Sequence, residues 1–211
     1  VALADVISGR PDLRRPACEL LVFAGEGEWL LGELVSRSGR GWRGHEQRPH
    51  QYSIALPPRL ARALVNLVAR PGDRLLDPCC GVGTVLIEAA DMGVSATGWE
   101  INWRIAKHAR GNICHWKVEA EVRVGDGRAA EGRYDGAVVD LPYGRASARV
   151  ERECRDLVAR AAERCRLLAV VSTEDMSAFL GDLSLRLLGL ARVPKGRLVR
   201  IVHWASSDIT I

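Results

Sequence analysis

Lysine is scarce in this 211-residue chain: Lys107, Lys117 and Lys195 are three of its 30 basic residues, and the other 27 are arginines. Two readings stay open. Arginine either replaces lysine on solvated faces by coding bias, or its planar fork is used to hold phosphate. The formal net charge of +4 is too mild to choose between them. No C-x-x-C pair occurs among Cys18, Cys79, Cys80, Cys114, Cys154 and Cys165, so zinc-ligand spacing is lacking and no metal site is expected. A chain of this size buries a core without disulfide staples, so the cysteines are read as free thiols in a reducing compartment, the cytoplasm. No apolar run approaches the ~20 residues of a membrane span, and no membrane partner is expected. The opening stretch is broken by Asp5 and Arg10, which excludes a signal peptide there, and it lacks an initiator Met, which leaves room for residues upstream.

What is present is an alternation of strand and helix patterns. Residues 18–24 and 29–35 are apolar runs around Gly25-Glu26-Gly27-Glu28, a hairpin signal. Residues 36–51 are polar and glycine-rich and read as a linker. A helix is expected after Pro57-Pro58, with Leu60, Leu64, Leu67 and Val68 at helical spacing. Strands are then expected at 74–77, 94–100, 120–124, 135–140 and 167–172. Helices are expected at 84–92, 102–115 (with Asn102 as N-cap), 148–166 and 173–180. Two closing strands, 183–191 and 198–204, flank a turn at Pro194-Lys195-Gly196. Alternating strands and helices imply a parallel sheet covered on both faces, and the closing pair implies one antiparallel member.

The first chemical signal is Asp77-Pro78-Cys79-Cys80-Gly81-Val82-Gly83-Thr84, between a strand and a helix. Gly81 and Gly83 allow a tight turn and close approach of a ligand, and the helix after Thr84 offers free N–H groups. A G-x-G alone is weak, and close helix–strand packing would also explain it. Context strengthens the ligand reading. Glu100 ends the next strand, 23 positions after Asp77, where an acid accepts ribose hydroxyls. Asp126, within Gly125-Asp126-Gly127, ends the strand after that and is placed to take an adenine amino group. Asp77 would repel a pyrophosphate but suits a ligand bearing an amino group or a sulfonium.

The second signal is Asp140-Leu141-Pro142-Tyr143-Gly144, at the end of the apolar strand DGAVVD. Asp140 and the Leu141 carbonyl are two acceptors for the two N–H bonds of a planar amino group. Pro142 stiffens the turn, and Tyr143 supplies a ring for stacking. A strand-ending turn with Asp140 as a backbone cap is the plainer alternative.

In this order, DPCCGVGT, GWEIN, GDG and DLPYG resemble a class I S-adenosylmethionine-dependent methyltransferase acting on an exocyclic amino group. Residues 57–67 followed by LLDPCCGVGTVLIEAA are similar to the THUMP-associated tRNA guanine-N2 methyltransferases, and the likeness covers about residues 49–204. The resemblance implies a Rossmann-like α/β fold: a seven-stranded, mostly parallel sheet with an antiparallel last strand, preceded here by a short β-hairpin region. It implies S-adenosylmethionine as cofactor, held by Asp77, Pro78, Gly81, Gly83, Thr84, Glu100, Ile101, Asp126 and Gly127. It implies Asp140, Leu141, Pro142 and Tyr143 at the target amine, and RNA, most simply tRNA, as partner. Residues 1–48 are too short for a complete THUMP domain and resemble its last strands and linker; residues 49–211 are the expected catalytic domain.

Other targets stay open at this point: an rRNA guanine, a DNA adenine or cytosine, a protein glutamine, or an inactive fold kept as an RNA-binding scaffold. Arg37, Arg40, Trp42, Arg43, His45, Arg48 and His50 are candidates for gripping RNA, as are Arg145 and Arg149 past the tetrad. Against this, the linker reads equally as solvated chain. Arg152, Arg155, Arg160 and Arg164 read as a solvated helix face paired with Glu151, Glu153 and Glu163.

Overall fold

The computed structural model describes residues 7–8, 12, 14–25, 27–36, 41–53, 55–142, 148–196 and 198–207. The chain divides into two compact units, 1–40 and 41–211. In the first, β1 (Leu20–Ala24) and β2 (Trp29–Glu33) form the expected antiparallel hairpin, with Leu20 opposite Glu33 and Ala24 opposite Trp29.

The second unit is built on one seven-stranded sheet. Its strands are β3 (Arg74–Asp77), β4 (Ser95–Glu100), β5 (Ala120–Val124), β6 (Tyr134–Asp140), β7 (Cys165–Ser172), β8 (Leu185–Lys195) and β9 (Leu198–Ser207). The spatial order is β5-β4-β3-β6-β7-β9-β8. Only β9 runs against its neighbours, pairing antiparallel with both β7 and β8. The chain leaves β3 toward β5, then returns to lay β6 on the other side of β3. That reversal opens a crevice past the carboxyl ends of β3 and β6.

Helices α1 (Pro58–Val68), α2 (Thr84–Asp91), α3 (Trp103–Trp116), α4 (Ala148–Ala162) and α5 (Ser177–Asp182) cover the sheet. In α1, proline occupies the first turn, where no N–H is needed, and Ala61, Leu64, Val65 and Val68 are buried. Asn102 caps α3 as expected, accepting from the Arg104 N–H at 3.0 Å. No helix among the described residues is long and apolar enough to cross a membrane.

Boundaries depart from the sequence reading where local chemistry intervenes. α4 stops at Ala162, because Cys165 and Arg166 belong to β7 and the Arg164 carbonyl accepts from the Tyr134 N–H at 2.8 Å. α5 begins at Ser177 and not at residue 173, since Ser172 and Asp175 bond within the preceding turn. Pro194 lies inside β8; an edge strand tolerates a residue that cannot donate to a ladder.

The largest departure concerns residues 41–48, expected as linker. They belong to the second unit, and Gly41–Gln47 form a 3-10 helix. His45 and Arg48 are buried, and His45 Nδ1 lies 2.6 Å from Oε1 of the fully buried Glu88 on α2. Arg62 on α1 donates to the other Glu88 oxygen at 3.0 Å and to Asp91 at 2.7 Å. Burial pushes the Glu88 carboxyl up, and His45 and Arg62 pull against that shift. His45 and Arg48 are therefore part of the fold's polar interior and not RNA contacts.

Candidate functional site

The crevice holds a cavity of about 410 Å³, within the range of small-ligand sites. Four strand ends supply much of its lining. The β3–α2 loop contributes Asp77, Pro78, Gly81 and Thr84. The end of β4 contributes Glu100 and Ile101. The turn after β5 contributes Asp126 and Gly127, and the end of β6 contributes Asp140, Leu141 and Pro142. Gly83 does not line the cavity: at φ +83° it packs against Ala109 of α3 and shapes the turn. Tyr143, Arg145, Arg37 and Arg40 lie outside the described residues.

Asp77 is buried, and burial pushes its carboxyl up to about 8; the nearby charges of Asp140 and Glu100 push the same way. Its Oδ1 accepts one hydrogen bond, from the Cys79 N–H at 3.2 Å, which opposes the shift. A cationic group placed beside it would relieve the desolvation.

Glu100 is held differently. Oε2 accepts from the Gly81 N–H at 3.2 Å and Oε1 from the Asn102 N–H at 2.8 Å. Each oxygen keeps lone-pair capacity for a neighbouring diol, and the carboxylate orientation is fixed by backbone on two sides. Asp126 accepts from the Arg128 backbone N–H at 2.9 Å, and its side chain forms an ion pair with the Arg128 guanidinium. That pairing lowers the Asp126 carboxyl and keeps it ionised.

The loop itself fits a bound group. Thr84 Oγ1 is buried without a hydrogen-bond partner. The N-terminus of α2 has no side-chain cap. A Cβ at Gly81 would meet only open space. Unpartnered donors and acceptors around a cavity are a fit for a polar ligand carrying both amine and carboxylate functions. A side chain at Gly127 would overlap the Pro78 carbonyl, so that glycine lets the β5 turn close on the β3 loop.

The β6 turn is tied to the same loop. Cys79 Sγ donates to the Asp140 carbonyl at 3.4 Å, and the Leu141 N–H donates to the Val171 carbonyl at 3.0 Å. Burial pushes the Cys79 and Cys80 thiols up, and Asp77 adds to the shift in both, so neither is set up as a thiolate nucleophile.

Sequence reasoning missed three contributors. Asn112 is fully buried on α3; its Oδ1 accepts from the His50 N–H at 2.9 Å, and its Nδ2 donates to the His50 carbonyl at 2.9 Å and the Val82 carbonyl at 3.0 Å. Tyr52 lines the cavity from the segment before α1. Lys195 reaches that segment from β8. None stands in a motif, and only the three-dimensional neighbourhood reveals them.

Comparison with known proteins gives a consistent set of findings. The family model for the RMKL-like methyltransferase domain matches residues 45–197. The tRNA (guanine(10)-N2)-dimethyltransferase of Methanothermobacter thermautotrophicus is 42% identical over 102 residues, 46% of this chain and 30% of that protein. The Pyrococcus abyssi protein of the same name is 34% identical over 143 residues, 64% of this chain and 43% of that protein. The chain thus spans less than half the length of these relatives. Among solved structures, the Synechocystis magnesium protoporphyrin IX methyltransferase with bound S-adenosylmethionine shares the fold at a TM-score of 0.59. It is 19% identical, with 71% of this chain and 77% of that chain covered.

Proposed function

We propose that this chain, which belongs to the RMKL-like methyltransferase domain family, transfers a methyl group from S-adenosylmethionine to the exocyclic N2 of guanosine in tRNA. The observation that carries the reading is one continuous cavity in which a buried Asp77 and the strand-end Asp140 share a space with Glu100 and Asp126. The names of the relatives, tRNA (guanine(10)-N2)-dimethyltransferases, support the choice of target.

When bound, the cofactor supplies an electrophilic methyl group on a sulfonium. Asp77 would face its cationic end as a carboxylate, having released the proton that burial favours. Glu100 would accept the ribose hydroxyls with its two backbone-oriented oxygens. Asp126 would take the adenine amino group, with Gly127 and Ile101 as neighbouring walls, and Thr84 and Gly81 would line the methionine end.

Guanine N2 is a weak nucleophile because its lone pair is delocalised into the ring. Hydrogen bonds from the amine to Asp140 and to the Leu141 carbonyl would hold both its protons and favour a localised lone pair. Most of the acceleration would come from proximity and preorganised acceptors. Asp140 would then receive the proton lost from nitrogen. Pro142 limits the turn's freedom, and Tyr143 is assigned a stacking role. A target held in a stem would have to be flipped out, at a cost of a few kcal/mol.

Residues 1–40, the separate first unit, are read as a remnant of an RNA-binding module, ahead of the catalytic unit 41–211. Cytoplasmic location fits free thiols and a tRNA substrate. Asp140→Ala tests the assignment: turnover is expected to fall at least about a hundredfold, as for loss of a transition-state acceptor. S-adenosylhomocysteine affinity in calorimetry should stay unchanged. Turnover near wild type would remove Asp140 from the mechanism.

A further inference from the structure

One wall of the cavity has no role in the chemistry above. Tyr52, Ala55 and Leu56 line it together with Asp140, Leu141 and Pro142. The described residues of the strap that carries them, 50–53 and 55–56, are fastened from both sides. At His50 its main chain is bonded in both directions to the Asn112 side chain. Asn112 also holds the Val82 carbonyl of the cofactor loop, so this end is fixed to the floor of the cavity. At the other end, Lys195 Nζ donates to the Ser53 carbonyl at 3.2 Å, and Arg200 Nη2 to the Ala55 carbonyl at 3.5 Å. Both cations come from the β8–β9 pair. The Lys195 ammonium is pushed down by burial and by Arg200, while the Asp140 charge supports it, so it lies within electrostatic reach of the tetrad. A turn, with the Ala55 N–H donating to the Tyr52 carbonyl at 3.0 Å, completes the strap.

A half-exposed aromatic side chain therefore stands on a strap that lines the same cavity as the target-amine acceptors. At 47% exposure Tyr52 retains a large accessible surface. A strap fixed by four main-chain bonds spends little entropy in presenting one flat ring to a cavity.

We infer that Tyr52 is a substrate-contacting residue: its ring stacks on the target base while Asp140 and the Leu141 carbonyl hold the amine. This rests on the proposed reading that the cavity receives a base from RNA. Stacking needs the ring and not the hydroxyl, so Tyr52→Phe should be neutral and Tyr52→Ala should not.

The test measures initial methylation rates of the full chain and both variants on unmodified tRNA with methyl-labelled cofactor, the identity of the labelled nucleoside, and S-adenosylhomocysteine affinity. Folding should not change, since the side chain is half-exposed. The expected result is a loss of about tenfold or more in kcat/KM for Tyr52→Ala, near wild-type rates for Tyr52→Phe, and unchanged S-adenosylhomocysteine affinity in both. Tyr52→Ala at the wild-type rate would overturn the inference and leave the guanosine reading standing. A fall in S-adenosylhomocysteine affinity matching the fall in rate would also overturn it, by making Tyr52 a cofactor wall. Label on another base, with the same ordering of the variants, would support Tyr52 as a stacking residue, in addition to the role proposed for Tyr143, and overturn guanosine as the target. No label in RNA from the wild-type chain would overturn both.

Discussion

Asp77 carries the heaviest electrostatic load in the cavity, and its behaviour with pH follows from burial. Its carboxyl titrates at about 8 in the folded chain against 3.8 for the free group, so the folded state holds a proton that the unfolded state has lost across that window. The stabilising contribution is complete below about pH 4 and is lost as pH rises through about 8. Asp77→Asn removes the ionisation. The variant should melt higher than the ligand-free wild type by several degrees near pH 8, with a gap that narrows toward pH 5. The same substitution should weaken cofactor binding, because a neutral amide cannot balance a cationic ligand. A melting gap independent of pH would contradict the burial argument. In the wild type at pH 7, binding should release a proton from Asp77, visible as a heat that depends on the buffer's ionisation enthalpy.

At the scale of elements, the strap and the 3-10 helix show how a helix's buried polar residues organise the chain ahead of the catalytic core. Asn112 uses both amide atoms on the main chain, and Glu88 takes both His45 and Arg62. Asn112→Ala leaves the His50 N–H and the Val82 carbonyl without these bonds, at about 1–3 kcal/mol. That corresponds to a fall of roughly 2–10 °C in melting temperature, read by calorimetry. S-adenosylhomocysteine affinity should fall with it, because Val82 sits in the cofactor loop. An unchanged affinity would show that the loop holds its shape without the staple.

These same elements mark how far the sequence was legible. Strand–helix alternation is a local pattern, so β3 to β7 and α1 to α3 could be read from spacing and caps. Carboxylates at strand ends were legible because topology forces strand ends together. Glu88 was not, because it stands among apolar neighbours on α2 and its partners are 43 and 26 residues away. A glycine-rich polar stretch looks solvated until such a distant partner is known, and so 41–48 was misread as linker. Tyr52 precedes β3 and Lys195 ends β8, 143 positions further on, and no spacing rule joins them.

At the scale of the whole molecule, charge bears on how the proposed RNA substrate would be held. Arg149, a candidate RNA contact in the sequence, pairs with Glu153, while Arg155 pairs with Glu151 and Arg160 with Glu163, as expected for a paired helix face. Exposed pairs of this kind add little stability, and they leave fewer unengaged guanidinium groups for phosphate than the count of 27 arginines implies. The chemistry of the cavity, and not bulk charge, therefore carries the functional claim. That claim is tested most directly by incubating the full chain with unmodified tRNA and methyl-labelled S-adenosylmethionine, then digesting the RNA and identifying the labelled nucleoside by mass spectrometry. The account predicts label in N2-methylated guanosine, lost in Asp140→Ala. Label in any other nucleoside, or guanosine label that survives Asp140→Ala, would contradict it.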